Sequence, residues 1–411
     1  MKTGGAALVL LAALACKPAA PPPQDAAAPP PATSKQPTGP DDPNERANLL
    51  NFAHGATVVS RSGEWSLSLS ALNAIDGELT SAWVMNAGDY PQSVTIALAA
   101  RSRIERVGIA TNRTPPVAID SLTFESSLDG TTFTPLAQMK PQRSDKAQLM
   151  SVTPVDATFI RATLTGGGRS GRANAVFALG RELAAPKAPS IAGCWTINGV
   201  NAILDQQGAH ANGRVDTTPT PTYLDGGFDG RFFRFTWSRG ASFGYEAISV
   251  SPDGAHLSGQ QWHEEPIPLF FAESWFGDRR DCTSTIIDQG KVTRELLRRN
   301  GRAPLFGLAF DANGNLNERE SLDTLTTLHH FLVGTTIQAR LVAHEFRAAT
   351  PAKNLALANA QLTSLEQWLL RNGVPQGRVS FVAAGSDTPR EVPVTDAMRA
   401  LYSSVDLEIR R

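Results

Sequence analysis

The sequence predicts a multidomain chain with a β-sandwich, a small antiparallel β module and a C-terminal α/β sandwich. Over residues 46–285, short apolar runs alternate with Gly, Pro, Asn and Asp, which is typical of strands joined by turns. From residue 300 onward, leucines recur at helical spacing between such runs. A chain of 411 residues has room for roughly two to four domains.

The charge balance argues against a nucleic-acid partner. The chain has 38 Lys and Arg residues against 39 Asp and Glu residues, so it has no basic excess to neutralise phosphates. No apolar run reaches the roughly 18 residues of a membrane-spanning helix.

The first residues have the pattern of an export signal. A lysine at position 2 precedes the apolar run AALVLLAALA at residues 6–15, and Cys16 follows. The run is the length of a secretory signal. Its end at a cysteine resembles the lipobox of bacterial lipoproteins, which implies that residues 1–16 are a lipoprotein signal and that Cys16 carries the lipid. The alternative is an ordinary signal peptide with a chance cysteine.

A spacer is predicted for residues 17–45. Ten prolines and six alanines occur in residues 17–43, with no aromatic residue, Leu, Ile or Val. Because this segment has nothing to bury in a core, we expect a disordered tether between the anchor and the folded modules.

The first folded module, residues 46–185, contains three stretches that resemble the discoidin family. The stretches are NAIDGELTSAW at 73–83, SLDGTTF at 127–133 and ATFIR at 157–161. That family, also called the coagulation-factor type-C or galactose-binding-like domain, implies a jelly roll that binds glycans or lipid head groups through loops at one end. Trp65, Tyr90 and His54 are candidate ligand residues, with simple packing as the alternative for each.

The same resemblance implies a structural calcium at the Asp-Gly loop, with Asp76 and Ser81 as ligands. The position of the family's acidic ligand falls on Ala178, which argues against calcium. The expectation is therefore a protein without a cofactor, in which Asp76 and Gly77 form a plain turn.

The middle module, residues 190–285, is predicted to be a small antiparallel sheet or half-barrel of six to eight strands. Asp-Gly pairs recur between apolar runs, which is a hairpin signal. Cys194 and Cys282 stand near its two ends. If the chain is exported, they favour one disulfide that clips the edges together, with two buried free thiols as the alternative.

The last module, residues 300–411, reads as β-α-β-α-β-β. Strands are predicted at 305–310, 337–343, 379–383 and 405–409, and helices after Asn317 and Thr350. The order, with LAFD at 308–311, His344, Asn354 and GSDTP at 385–389, resembles the OmpA-like peptidoglycan-binding domain.

The resemblance supports the fold of this domain better than its binding site. In that family an aspartate and an arginine hold the zwitterion of diaminopimelate, whereas here those positions are Phe346 and Gln361. Glu345 and Arg347 lie next to the lost aspartate and are candidates for a displaced clamp. The domain is otherwise expected to be degenerate.

The sequence thus predicts a binding protein and no enzyme, since it contains no P-loop or His-Glu-x-x-His motif. Our main hypothesis is an outer-membrane lipoprotein that faces the periplasm and binds or scaffolds at the cell wall, with peptidoglycan, another glycan or envelope proteins as partners. One alternative is a surface glycan-binding protein that acts through the discoidin-like module. The other is a cryptic envelope hydrolase.

Overall fold

The structure of the protein is a computed structural model. It describes residues 48–86, 88, 90–111, 119–142, 144, 146–166, 171–184, 190–240, 242–263, 273–282, 296–298, 300–346, 350–386 and 403–409. The predicted signal and tether, including Cys16, lie outside the described residues, as does Arg347.

The first module is a jelly-roll-like sandwich, as predicted. Its main sheet has the order β1-β3-β6-β4-β5, with β8 paired to β3, and β2 pairs with β7. The strands are β1 Thr57–Arg61, β2 Trp83–Val84, β3 Gln92–Ala110, β4 Ser121–Ser127, β5 Thr134–Met139, β6 Gln148–Thr165, β7 Arg172–Ala173 and β8 Ala175–Glu182.

Two long strands carry this sandwich. β3 has 19 residues and β6 has 18, and they pair antiparallel along most of their length, with irregularities between Ala97 and Ser102 and between Ile104 and Arg106. The separate apolar runs at 94–98 and 107–109 are therefore parts of one strand. Gly108 and Gly180 allow the close strand approach, because a Cβ at Gly180 would lie 1.9 Å from the Arg103 carbonyl oxygen.

The middle module is a closed barrel of eight antiparallel strands. Its strands are β9 Gly193–Ile197, β10 Val200–Gln207, β11 His210–Val215, β12 Thr222–Phe228, β13 Phe232–Arg239, β14 Ser242–Val250, β15 His256–His263 and β16 Glu273–Arg280. β16 pairs with β9, with Arg280 opposite Cys194. The strand number agrees with the upper end of the prediction, and the closure replaces the predicted open sheet.

Alternating side chains of β13 separate the two faces of the barrel wall. Phe233, Phe235 and Trp237 point into the barrel core, and the rings of Phe233 and Phe235 stack with centroids 4.4 Å apart. Phe232 points outward and belongs to the core of the sandwich. The aromatic residues of β13 therefore belong to two different cores.

The C-terminal module is an α/β sandwich whose sheet has the order β17-β20-β18-β19. Its elements are β17 Arg302–Pro304, α1 Leu322–Gly334, β18 Ala339–His344, α2 Pro351–Arg371, β19 Val379–Gly385 and β20 Ser404–Ile409. Thr350 caps α2 by accepting a hydrogen bond from the Lys353 amide, as predicted. Within the described residues, no helix combines the length and apolarity needed to cross a membrane.

Two predictions for this module are wrong in detail. The run at 305–310 is not a strand, since β17 ends at Pro304 and Phe310 makes only an isolated bridge to Leu316. The first helix begins at Leu322, after Ser321, rather than after Asn317. The apolar run instead lies against the barrel, where a Cβ added to Gly227 would lie 1.6 Å from the Phe306 carbonyl oxygen.

The sandwich and the barrel share one hydrophobic core. Phe232, Tyr245, Ala247 and Phe276 on the outer face of the barrel pack with the apolar residues of the sandwich. The contact also has polar links, because Arg231 donates to the His54 carbonyl oxygen at 2.8 Å and pairs with Glu182 at 3.1 Å. These two modules are therefore held together by buried contacts as well as by their linker.

Candidate glycan-binding site

One end of the sandwich is built by the chain segments at the end of β1, the start of β3, the start of β4 and the end of β6. The register places them together, since Arg61 pairs with Val94, Gln92 pairs with Leu164 and Ser121 pairs with Thr165. We call this the β1-exit end. The segment that follows Arg61 crosses it and carries Trp65.

Trp65 is displayed at the β1-exit end, with 65% of its surface exposed. Its backbone amide donates to the Val84 carbonyl oxygen at 2.9 Å. The buried Trp83 side chain donates through Nε1 to the Gly63 carbonyl oxygen at 3.0 Å. Because Gly63 and Trp65 are both bonded to β2, the exposed indole is held on a fixed backbone.

Polar side chains lie beside this loop. The Ser62 hydroxyl donates to Oε1 of Gln92 at 2.6 Å. A Cβ at Gly63 would lie 3.2 Å from Oε1 of Gln92 and 3.6 Å from Nδ2 of Asn86. Amide and hydroxyl groups of this kind both donate and accept hydrogen bonds, as sugar hydroxyls require. Sequence reasoning did not single out Asn86 or Gln92, because no local pattern marks them.

The start of the same loop is fixed on the barrel. Arg61 pairs with Glu64 at 3.0 Å, and its guanidinium lies 3.5 Å from the ring centre of Phe276 in β16. The other carboxylate oxygen of Glu64 accepts a hydrogen bond from the Ala71 amide at 3.2 Å. The barrel therefore contributes to the position of the Trp65 loop.

Tyr90 is at the same end of the sandwich, but its ring packs against the core. Burial raises the pKa of Tyr90, a hydrogen bond from the Gly171 backbone lowers it, and the nearby Asp120 raises it, so that the net pKa is above its usual value. A Cβ at Gly171 would lie 2.4 Å from the phenol oxygen. In this structure Tyr90 supports the loops rather than facing solvent as a sugar platform.

His54 is placed elsewhere. It precedes β1 and therefore lies at the opposite end of that strand from Trp65. Its carbonyl oxygen accepts the hydrogen bond from Arg231 of the barrel. The structure thus separates His54 from the other two predicted sugar-contacting residues.

The Asp-Gly loop has its polar groups engaged within the protein. Asp76 is buried and accepts a hydrogen bond from the Glu78 amide at 2.9 Å. The Ser81 hydroxyl lies 3.3 Å and 3.2 Å from the carbonyl oxygens of Asn73 and Glu78. Asn174, a residue that sequence reasoning missed, donates its side-chain amide to the carbonyl oxygens at positions 79 and 81 at 2.8 Å each.

The amide of Asn174 therefore sits where two loop carbonyl oxygens converge, a position that would suit a cation. Among the described residues, no group of three or more His, Cys, Asp or Glu side chains could hold a metal ion. Ala178 is buried in β8 opposite Val107 and contributes to the core.

In the C-terminal module the structure brings Glu345 and Gln361 together. Nε2 of Gln361 donates to the Glu345 carboxylate at 3.1 Å, and the Ser403 hydroxyl donates to its other oxygen at 3.1 Å. Glu345 is 0% exposed, so its carboxylate faces the interior of the domain. Glu345 is therefore bonded inside the domain and does not face solvent, as the displaced clamp would require. Arg347, the other half of that clamp, lies outside the described residues.

The two cysteines of the barrel are adjacent but unbonded. Cys194 is buried, Cys282 is exposed, and both are free thiols. Burial and a hydrogen bond with Cys282 raise the pKa of the Cys194 thiol. The predicted disulfide is therefore not formed in this structure, although both cysteines lie at the seam between β9 and the end of β16.

Residues 55–178 match the family model for the F5/8 type C domain. This agrees with the discoidin resemblance, and the rest of the chain is unassigned. No curated protein matches the chain.

Similar solved structures include the C-terminal domain of a chitobiase from Bacteroides fragilis, which is 21% identical, with 32% of this chain and 96% of that chain covered and a TM-score of 0.30. CpGH89CBM32-5 from Clostridium perfringens, in complex with GalNAc-β-1,3-galactose, is 20% identical, with 32% and 99% covered and a TM-score of 0.28. The family 32 CBM of C. perfringens NanJ, in complex with galactose, is 20% identical, with 30% and 98% covered and a TM-score of 0.25.

Proposed function

We propose that the jelly-roll module binds a glycan at the β1-exit end, with Trp65 as the surface on which a sugar ring stacks. The observation that carries this proposal is the 65% exposure of Trp65 on a loop that is bonded to β2 at Gly63 and Trp65, within the module that matches the F5/8 type C family. A rigid aromatic side chain supplies a large contact area at a small cost in conformational entropy.

The polar side chains beside the Trp65 loop also support glycan binding at this end. The side chains of the half-buried Asn86 and the exposed Ser62 lie beside the Trp65 loop and can orient the sugar hydroxyls, while the buried Gln92 holds Ser62 in place. A binding site with one apolar platform and a few placed polar groups fits a sugar, which has an apolar face and a hydroxyl rim. The function is binding without chemistry.

The test is glycan binding by the full chain, first on a glycan array and then by calorimetry with galactose and with the best array hit. Trp65→Ala should weaken binding about thirtyfold, because a central aromatic contact contributes about 2 kcal/mol. Leu128→Ala is the matched control, since Leu128 is 54% exposed and lies at the opposite end of β4. Array binding that is equal for wild type and Trp65→Ala would overturn the proposal.

We also propose that the protein is exported and lipid-anchored through Cys16, in the cell envelope. The supporting observation is the run at residues 6–15 that ends at Cys16, with the proline-rich segment after it. The anchor would hold the glycan-binding module near a surface and raise its effective concentration there. Cys16→Ser should move the protein from the detergent phase to the aqueous phase in a Triton X-114 partition, and an unchanged partition would contradict the anchor.

A further inference from the structure

A cavity of about 120 Å³ opens at one end of the barrel, at the turn between β9 and β10 and near the end of β13. Its walls include Ile197, Val200, Val215, Trp237 and Trp275. Trp237 is 1% exposed and Trp275 is 8% exposed, so both indoles belong to the barrel interior. The cavity is far in sequence from residues 55–178 and separate from the Trp65 loop.

The size and the floor of the cavity limit what it can hold. An apolar cavity of about 150 Å³ in a protein stays dry and takes up benzene, so this volume suits one ring. Below the mouth the barrel is filled, because the rings of Phe233 and Phe235 stack and Phe235 lies 6.0 Å from Trp275 between ring centres. A long alkyl chain therefore has no space to enter.

The rim of the cavity carries one cation. Arg239 lies two residues beyond Trp237 on β13, so it is on the same face of the strand and stands at the mouth. Of the described residues that line the cavity, Arg239 is the charged one and none is a carboxylate. A guanidinium stays protonated at any physiological pH and favours a planar carboxylate partner.

The other polar groups at the mouth are already engaged. The Thr217 hydroxyl donates to the Thr220 carbonyl oxygen at 2.7 Å and lies 2.9 Å from the Thr222 hydroxyl. The Asn198 side chain donates to the Ser274 carbonyl oxygen and accepts from the Phe276 amide. A sugar would find few open donors there, whereas an apolar ring with one anionic group needs only the arginine.

We propose that the barrel mouth binds a small aryl carboxylate, with its ring against Trp237 and Trp275 and its carboxylate on Arg239. Aromatic side chains prefer a ring as partner, through offset or edge-to-face contacts. The barrel would then hold a ligand site of its own, in addition to the proposed glycan site of the sandwich.

The test is saturation-transfer NMR on the full chain, with benzoate as the probe and benzyl alcohol as its neutral analogue. Val200 is half-buried at the mouth, so Val200→Phe should fill the mouth with a ring and weaken benzoate binding about tenfold or more. Arg239→Gln should weaken benzoate binding about fivefold, as expected for one exposed ion pair, and leave benzyl alcohol unchanged. Near-ultraviolet circular dichroism checks that each variant keeps its barrel.

Arg214→Gln is the matched control. Arg214 lies on the outer face of β11, between Gly213 and Val215, and pairs with Asp216 at 2.8 Å outside the cavity. It should bind benzoate like wild type. The proposal is overturned if benzoate gives no transfer signal to the wild type, if Val200→Phe binds it equally well, or if Arg239→Gln and Arg214→Gln behave alike.

Discussion

The hydroxyl of Thr57 in β1 donates a hydrogen bond of 3.0 Å to the hydroxyl of Ser249 in β14, although 192 residues separate them. Ser249 lies 2.8 Å from the Ala56 carbonyl oxygen, to which it donates. The Val58 amide donates to the Ser258 hydroxyl at 3.0 Å. Every one of these groups is buried, so the seam between sandwich and barrel is both apolar and hydrogen-bonded, a combination that specifies one docking geometry.

Phe232→Ala should destabilise the sandwich and the barrel together. Phe232 is 4% exposed on the outer face of the barrel, and its ring centre lies 5.4 Å from that of Phe52 in the sandwich. Removing the ring leaves a cavity in the shared core and should cost about 3–5 kcal/mol. Calorimetry should show one transition for the two modules at a lower temperature than in wild type, with the exposed Leu128→Ala as control. Separate transitions for the two modules would contradict the shared core.

The Asp-Gly loop should be stable without calcium. Asn174 already saturates two carbonyl oxygens of this loop, so we expect neither EDTA nor calcium to shift the melting temperature of the wild type. Asn174→Asp should lower it, because a carboxylate would face those oxygens without a donor, at a cost of about 1–3 kcal/mol. Added calcium should recover part of the loss in this variant, since the new oxygens complete a hard-cation site.

Wild type and Asn174→Asp should therefore respond differently to EDTA and to calcium. If EDTA lowers the melting temperature of the wild type, the amide is not the group that satisfies the loop. Magnesium serves as the control cation, because it requires shorter bonds and a stricter octahedral geometry than a loop of backbone carbonyl oxygens provides.

His210 should make the stability of the barrel depend on pH. Its Nε2 lies 2.6 Å from Oδ1 of Asp225, with side-chain exposures of 14% and 7%. Burial lowers the pKa of His210, but the hydrogen bond and charge of Asp225, with the charges of Asp323 and Asp205, raise it more, so the net pKa is above its usual value. The stabilisation is therefore complete below the unfolded pKa of about 6.5 and is lost as pH rises through the higher folded pKa.

His210→Gln keeps a hydrogen-bond donor and removes the charge, so it should lower the free energy of unfolding by about 1–2 kcal/mol more at pH 5.5 than at pH 9. Urea unfolding at the two pH values measures this difference. His256→Gln is the matched control, because the His256–Asp278 pair is exposed at 31% and 74% and water screens it. An equal loss at both pH values in His210→Gln would show that only its packing matters.

The sequence predicts the hairpins of the barrel but not its closure. The Asp-Gly pairs at 229–230 and 253–254 lie between strands, with positive φ angles of 92° at Gly230 and 69° at Gly254, whereas the pair at 225–226 lies inside β12 and marks no turn. The pairing of β16 with β9 joins residues that are distant in sequence, and no local pattern reports it. The run at 305–310 is the converse case, since its apolar residues pack on Gly227 of the barrel instead of forming a strand.

The candidate site is likewise only partly predictable from the sequence. An aromatic residue in a predicted loop is visible in the sequence, where Trp65 and Tyr90 are equally good candidates. Only the fold distinguishes the exposed indole of Trp65 from the inward phenol of Tyr90. Asn174 cannot be recognised in the sequence, because its partners at positions 79 and 81 lie 95 and 93 residues away along the chain.

Cys194 and Cys282 should form a disulfide under oxidising conditions. They lie close together at the seam where β9 and β16 close the barrel, because Arg280, two residues before Cys282, is paired with Cys194, and Cys282 contributes to the raised pKa of the Cys194 thiol. Linking them would close a long loop in the unfolded chain, which in the chain-entropy model contributes roughly 4 kcal/mol. The melting temperature of oxidised wild type should therefore fall on addition of dithiothreitol. Cys282→Ser should melt like the reduced protein with or without the reductant, and free-thiol titration should give one thiol fewer than wild type after reduction. An oxidised wild-type sample that still titrates both thiols would contradict this prediction and show that the seam does not allow the bond to form.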